Sequence, residues 1–327
     1  MFNYLSVHLL KTKTGKEKPM RAAIISERNA APVVGEFREP QAQDGAVLID
    51  VETAGLGGWD VLGAYRLGVE YPCVIRGEGV GRAPDGRRVY FGERSVLPFG
   101  AWAERTLVPQ AEVWNVPDDV DDKTAISMGI AATGAIVPLE KAQIQKGEKV
   151  LVLGATGTLG QIALQLARGM GAGKVVGAAR SADALGRLKS RGIADEVVTL
   201  GGSDDVAALK EAADGGFDVV LDLVCGQPML TSLKATNWGA RIMTIGTGAG
   251  RQLNLDIADL LFRNLSCIGT GQRPPADREQ IWLRLLKIAK EQQIQVDYAD
   301  YTLDQAAQAW AAQIAGPHAK ITATIRR

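Results

Sequence analysis

Two hydrophobic rhythms divide the chain. From Met20 to about Glu112 the apolar runs are short and closely punctuated by Gly and Pro. Met20-Arg-Ala-Ala-Ile-Ile, Val47-Leu-Ile-Asp-Val, Val89-Tyr-Phe and Trp102-Ala-Glu-Arg-Thr-Leu-Val read as strands of a β-rich unit. Asp118 to about Ala142 reads as helical, with small residues around Ala131-Ala132-Thr133-Gly134. The rhythm changes at Lys146-Gly147. Val150-Leu-Val-Leu is a short buried strand, and Leu159, Ala163, Leu166 and Met170 then recur at helical spacing. Strands follow at Val175-Val-Gly-Ala-Ala, Val197-Val-Thr-Leu, Phe217 to Val224, Arg241-Ile-Met-Thr-Ile and Leu265-Ser-Cys-Ile, mostly with helical segments between them. Alternation of this kind predicts an α/β unit with a doubly wound parallel sheet. A helix from Asp277 to Glu291, a strand from Val296 to Tyr301, a helix entered through the Thr302/Gln305 capping pair and ended by Gly316, and a strand from Lys320 complete the pattern.

The strongest chemical signal lies in that second rhythm. Gly154-Ala155-Thr156-Gly157-Thr158-Leu159-Gly160 follows a predicted strand and opens a predicted helix, the setting a dinucleotide fingerprint requires. Gly154 permits the tight turn, Gly157 leaves room for a pyrophosphate against the backbone, and Gly160 lets helix and strand approach. The free N–H groups and dipole of the helix start favour anionic phosphate. An NAD-selective second strand would usually end in a carboxylate that binds the ribose 2′-hydroxyl. Here it ends Ala179-Arg180-Ser181. Arg180 offers a forked cation to a 2′-phosphate and Ser181 a hydroxyl, so NADPH is the expected cofactor, with Lys189 and Arg191 as weaker contributors.

Taken in order, several segments resemble the zinc-independent quinone oxidoreductase branch of the medium-chain dehydrogenase/reductase superfamily. They are Ala54-Gly-Leu-Gly-Gly-Trp-Asp60, Pro72-Cys-Val-Ile-Arg-Gly-Glu-Gly-Val-Gly81, Gly100-Ala-Trp-Ala-Glu, the glycine loop and Gly316-Pro-His-Ala-Lys320. The resemblance covers about residues 20–327. It implies a GroES-like β-rich catalytic domain formed by 20–143 and 288–327, with a Rossmann nucleotide-binding domain at 144–287 inserted between. In zinc-dependent relatives, Cys and His ligands stand where this chain has Gly57 and Gly77, so no metal is expected.

The implied activity is hydride transfer from NADPH to a quinone, enone or other activated alkene. Tyr65 and Tyr71 border the implied cleft and are the candidate hydrogen-bond or proton donors. Trp59 is a candidate stacking surface. Arg76, where relatives carry glycine, is a candidate anchor for an acidic acceptor, which would make the enzyme an enoyl- or acrylate-type reductase. The absence of an obvious acid also keeps open a non-catalytic NADPH-binding redox sensor. Positions expected along the nicotinamide side are Val224, Gly246, Thr247, Gly269, Thr270 and Gly271, since ligands sit at the carboxyl ends of parallel strands. The resemblance implies the same of Thr133, from the helix bordering the cleft. Lys320 is expected near the cofactor cleft, and His318 in solvent.

Composition changes this picture little. Lys plus Arg number 37 and Asp plus Glu number 37, so no net charge draws the chain to nucleic acid or acidic membrane. Three scattered cysteines, Cys73, Cys225 and Cys267, show no ligand spacing and suit a reducing cytoplasm. No apolar run is long enough to cross a bilayer. Residues 1–19 read as a tail, an upstream start or an added leader, because Lys11, Lys13, Lys16 and Lys18 follow the apolar stretch instead of preceding it. A small-molecule acceptor is the expected partner, and pairing of nucleotide-domain sheet edges suggests a homodimer.

Overall fold

The computed structural model describes residues 19–62, 69–269 and 273–326. The tail before Pro19, Tyr65, Thr270 and Gly271 lie outside the described residues.

Six parallel strands form the nucleotide-binding sheet, in the order Glu196–Thr199, Lys174–Ala179, Lys149–Leu153, Phe217–Asp222, Thr236–Thr244, Asn264–Cys267. The apolar runs explain the placement. Val150, Leu151, Val152 and Leu153 are all buried, as a central strand covered on both faces demands. The helix Thr158–Gly169 buries Ile162, Ala163, Leu166 and Ala167 along one stripe. Strand order reverses beside Lys149–Leu153, whose neighbours are the second strand on one side and the fourth on the other. A crevice therefore opens at the carboxyl end of that strand, where the glycine loop begins.

The remaining strands build a mostly antiparallel unit. Its seven-stranded sheet runs Tyr298–Thr302, Lys320–Thr324, Ala46–Leu56, Glu78–Arg82, Arg88–Phe91, Val113–Asn115, with Arg105–Pro109 also pairing along Ala46–Leu56. A three-stranded sheet joins Val33–Arg38, Pro19–Ile25 and Cys73–Val74. The C-terminal strand thus returns beside Ala46–Leu56, pairing Ile321 with Leu56 and Thr324 with Thr53.

The stretch from Asp118 to Ala142 is two helices, Asp122–Ser127 and Ile130–Ala142, rather than one. The break falls at Gly129, where an added Cβ would lie 1.9 Å from the Tyr90 hydroxyl and 2.5 Å from Glu78 Oε2. Close approach to that pair forbids any other residue and turns the chain. Trp102 is fully buried in a bend, and the strand it was expected to open begins at Arg105. The helix Pro275–Gln292 runs unbroken through residues 287 and 288. It carries Trp282, whose indole N–H donates to Ala125 O at 3.0 Å and whose ring stacks on Tyr90 at 5.0 Å. That helix therefore ties the β-rich unit to the nucleotide sheet through one shared core.

Candidate active site

The glycine loop has the geometry the sequence predicts. Gly154 takes φ +80, a left-handed conformation that favours glycine. An added Cβ at Gly160 would stand 2.5 Å from Gly154 O and 2.6 Å from Ala155 Cα, so the helix rests directly on the turn. Gly157 caps the helix without a side-chain hydrogen bond, and a Cβ there meets nothing nearer than Gly154 O at 3.7 Å. The first-turn N–H groups thus carry no side-chain cap, and a Cβ at Gly157 would clash with nothing. Val224 overhangs the loop: its Cγ1 lies 2.8 Å from the Cβ position of Gly154. Gly246 approaches Leu223 O so closely that a Cβ would fall 1.8 Å from it. Thr247 and Gly269 are exposed at the ends of their strands.

Arg180 is exposed at the end of the second strand, and no ion pair among the described residues engages it. Ser181 Oγ accepts from Ala184 N at 3.3 Å and caps the next helix. Lys189 and Arg191 are committed elsewhere, to Glu196 at 2.7 Å and to Asp297 at 2.5 Å. Arg187, exposed one turn along the same helix, was not singled out by the sequence. His318 is a larger surprise. Its Nδ1 meets Thr156 Oγ1 at 2.9 Å, and its carbonyl accepts from Gln161 Nε2 at 2.9 Å. Burial, then the charges of Arg187 and Arg180, push the imidazole below its usual value. The closing turn therefore touches the glycine loop itself. His318 has φ +52, a backbone state that pattern reading does not detect.

A buried polar cluster forms the other wall. Lys320 Nζ donates to Glu78 Oε1 at 2.6 Å, with both side chains 3% exposed. Glu78 Oε2 accepts from the Tyr90 hydroxyl at 2.6 Å and from Ile130 N at 3.1 Å. Lys320 was expected near the cofactor cleft. Its ammonium is held by the Glu78 carboxylate, because an unpaired cation could not be buried there. Asp60 Oδ2 accepts from Gly57 N at 2.9 Å and Oδ1 from Gly77 N at 3.1 Å. Burial raises the Asp60 carboxyl above its ordinary value, against the pull of those two amides and of Lys320.

Gly77 has φ +54, and a Cβ would stand 2.5 Å from Gly55 O, so no ligating side chain fits there. Among the described residues no cluster of His, Cys, Asp and Glu is arranged to hold a metal. Arg76 is half-buried and its Nη2 donates to Glu93 O at 2.5 Å. Tyr71 lines a groove of about 660 Å³ with Phe37, Arg38, Pro72 and Pro98. Trp59 is half-exposed on the short helix Gly58–Leu62.

Two links join the glycine loop to the polar cluster. His318, on the glycine loop, lies two residues from Lys320 on the acid cluster. Thr133, half-buried, sits one turn into the helix whose first amide bonds Glu78 and which packs on the glycine-loop helix, Gly134 against Leu159.

A family profile described as "Zinc-binding dehydrogenase" matches residues 158–287. Quinone oxidoreductase-like protein 2 of Mus musculus is 28% identical over 269 residues, 78% of this chain and 76% of its own length. Acryloyl-coenzyme A reductase of Metallosphaera sedula is 28% identical over 300 residues, 80% of this chain and 87% of its own. The quinone oxidoreductase of Thermus thermophilus, solved alone and with NADPH, superposes with TM-score 0.76 at 28% identity, covering 94% of this chain and 100% of that one. Fold and glycine loop are together similar to those of the medium-chain dehydrogenase/reductases. Within that superfamily the similarity is to the zinc-independent quinone oxidoreductase branch.

Proposed function

We propose that the protein is an NADPH-dependent reductase of quinones, enones or other activated alkenes. One observation carries the reading: an exposed Arg180, with no competing carboxylate, ends the strand beside a glycine loop whose helix start has no side-chain cap. NADPH, when bound, supplies the hydride. The loop amides from Gly157 onward would hold its pyrophosphate, Arg180 and Ser181 its 2′-phosphate, and Thr133, Val224, Thr247 and Gly269 would border the nicotinamide. The Thermus relative's complex with NADPH supports this cofactor. The acryloyl-coenzyme A reductase among the relatives supports an alkene acceptor beside the quinones. The test is NADPH consumption by chelator-treated protein against neutral quinones, enones and small acrylates, with NADH in parallel. NADPH binding without turnover of any acceptor would favour a redox sensor instead.

The cofactor preference has its own test. A charge-assisted hydrogen bond is worth about 1.5–3 kcal/mol, so Arg180→Ala should raise the KM for NADPH about 10- to 100-fold. The KM for NADH should move little. Equal changes for both would remove Arg180 from the site.

We also propose that two copies pair through the edge of the six-stranded sheet. Beside its outer strand Asn264–Cys267, Trp238 (81% exposed) stacks on Phe262 (51% exposed) with ring centroids 4.9 Å apart. Leu261 and Ile257 extend this exposed apolar surface. Among the described residues this strand pairs on one side only, and an edge flanked by such a surface suits a second copy. Trp238→Glu should turn a dimeric mass in light scattering into a monomeric one. An unchanged mass would overturn this interface. Among the described residues no helix is long and apolar enough to cross a membrane.

A further inference from the structure

Reduction of an alkene ends with a proton delivered to carbon. Of the tyrosines read from the sequence, Tyr71 lines a groove with Phe37 and Pro98, and Tyr65 lies outside the described residues. Glu93 is a further candidate donor. The strands Glu78–Arg82 and Arg88–Phe91 pair antiparallel with Gly79 opposite Phe91. Gly77 and Glu93, two residues beyond, therefore leave the hairpin at the same end. Asp60 occupies that end too, bonded to Gly77 N and Gly57 N. Arg76 grips the Glu93 carbonyl at 2.5 Å and fixes the backbone beneath the side chain. Glu93 is half-buried, yet its Oε2 is fully enclosed and has no hydrogen-bond partner among the described residues. A buried carboxyl oxygen in that state is costly as an anion and is suited to carry a proton.

We propose that Glu93 is the general acid that protonates the acceptor after hydride transfer. This rests on the reductase reading above. The balance is simple. Hydride arrives at the β-carbon of the conjugated alkene and leaves an enolate. The Glu93 O–H bond breaks as the α-carbon C–H bond forms, and solvent water returns a proton to the carboxylate. A quinone needs no such donor, since hydroquinone oxygens exchange protons with water.

The surroundings hold the carboxyl in the useful range. Burial pushes it up to about 7, helped by the negative charges of Asp60 and Glu78 and opposed by Arg76 and Arg94. Glu78 is itself neutralised by Lys320. Protonated Glu93 therefore dominates below about pH 7 and is lost as the pH rises through that value.

The experiment uses the full chain and two readouts. In cofactor-free protein, infrared difference spectra between wild type and Glu93→Gln should show a protonated-carboxyl band that disappears as the pH rises through neutrality. In turnover, the ratio of enone to quinone reduction should fall about 100-fold in Glu93→Gln, and the alkaline decline expected of wild type should be lost. Glu93→Asp, which keeps a carboxyl, should recover part of that ratio. Thermal melting of both variants checks that each folds. An unchanged ratio, or no titrating band, overturns the assignment of Glu93 alone. Failure of the wild-type protein to reduce any acceptor overturns the reductase reading and the role of Glu93 with it.

Discussion

Replacing Lys320 by Met should lower the unfolding free energy by about 3–5 kcal/mol in urea titrations, the range for breaking one side of a buried ion pair. Glu78 and Lys320 are 3% exposed and 2.6 Å apart, so neither charge can recruit water when its partner is removed. Methionine fills the lysine stem and leaves the packing nearly intact, which isolates the charge. The loss should not be additive with a second change. Glu78→Gln in the Lys320→Met background removes the stranded charge. Its amide oxygen still accepts from the Tyr90 hydroxyl and Ile130 N, which Glu78 bonds at 2.6 and 3.1 Å. The double variant should therefore be more stable than Lys320→Met alone, a positive coupling that a double-mutant cycle reads directly. A double variant less stable than either single one would mean that the pair acts through packing and not through charge.

Periodicity exposed the parallel sheet because its central strands, Lys149–Leu153 above all, are short apolar runs between segments of a different period. The glycine loop was legible for the same reason: Gly154, Gly157 and Gly160 have backbone tasks that no other residue performs, and they stand at fixed offsets. The β-rich unit was less legible. Val33–Arg38 and Glu78–Arg82 alternate weakly, and the second carries glycines where Phe91 and the Asp50 backbone approach it. The cleft's polar wall was the hardest to see. Asp60, Glu78, Glu93 and Lys320 meet only through long-range pairing, above all the return of Lys320–Thr324 beside Ala46–Leu56. His318 depends on the same return and on a left-handed backbone. No local pattern encodes such meetings, and the resemblance to a known family did not name Glu78 as the partner of Lys320.

Two glycines of the loop should separate binding from folding. Gly160→Ala puts its methyl carbon 2.5 Å from Gly154 O and 2.6 Å from Ala155 Cα. Both are backbone atoms of a tight turn and cannot move aside, so overpacking should cost about 1–3 kcal/mol of stability in the cofactor-free protein. Gly157→Val meets a different situation. Its backbone is extended, at φ -73 and ψ 163, and its Cβ would have 3.7 Å of clearance. The cofactor-free variant should lose no more than about 1 kcal/mol, the scale of an altered helix cap. Its side chain, however, would occupy the space in which a pyrophosphate meets the helix amides. Loss of about two hydrogen bonds to charged oxygen, roughly 3 kcal/mol, weakens NADPH binding about 100-fold. At a concentration 100 times the wild-type Kd, NADPH stabilises wild type by about 2.7 kcal/mol and this variant by only about 0.4 kcal/mol. Melting curves with and without NADPH therefore distinguish the two residues. Full stabilisation of Gly157→Val by NADPH would place the pyrophosphate elsewhere and remove the glycine loop from the cofactor site.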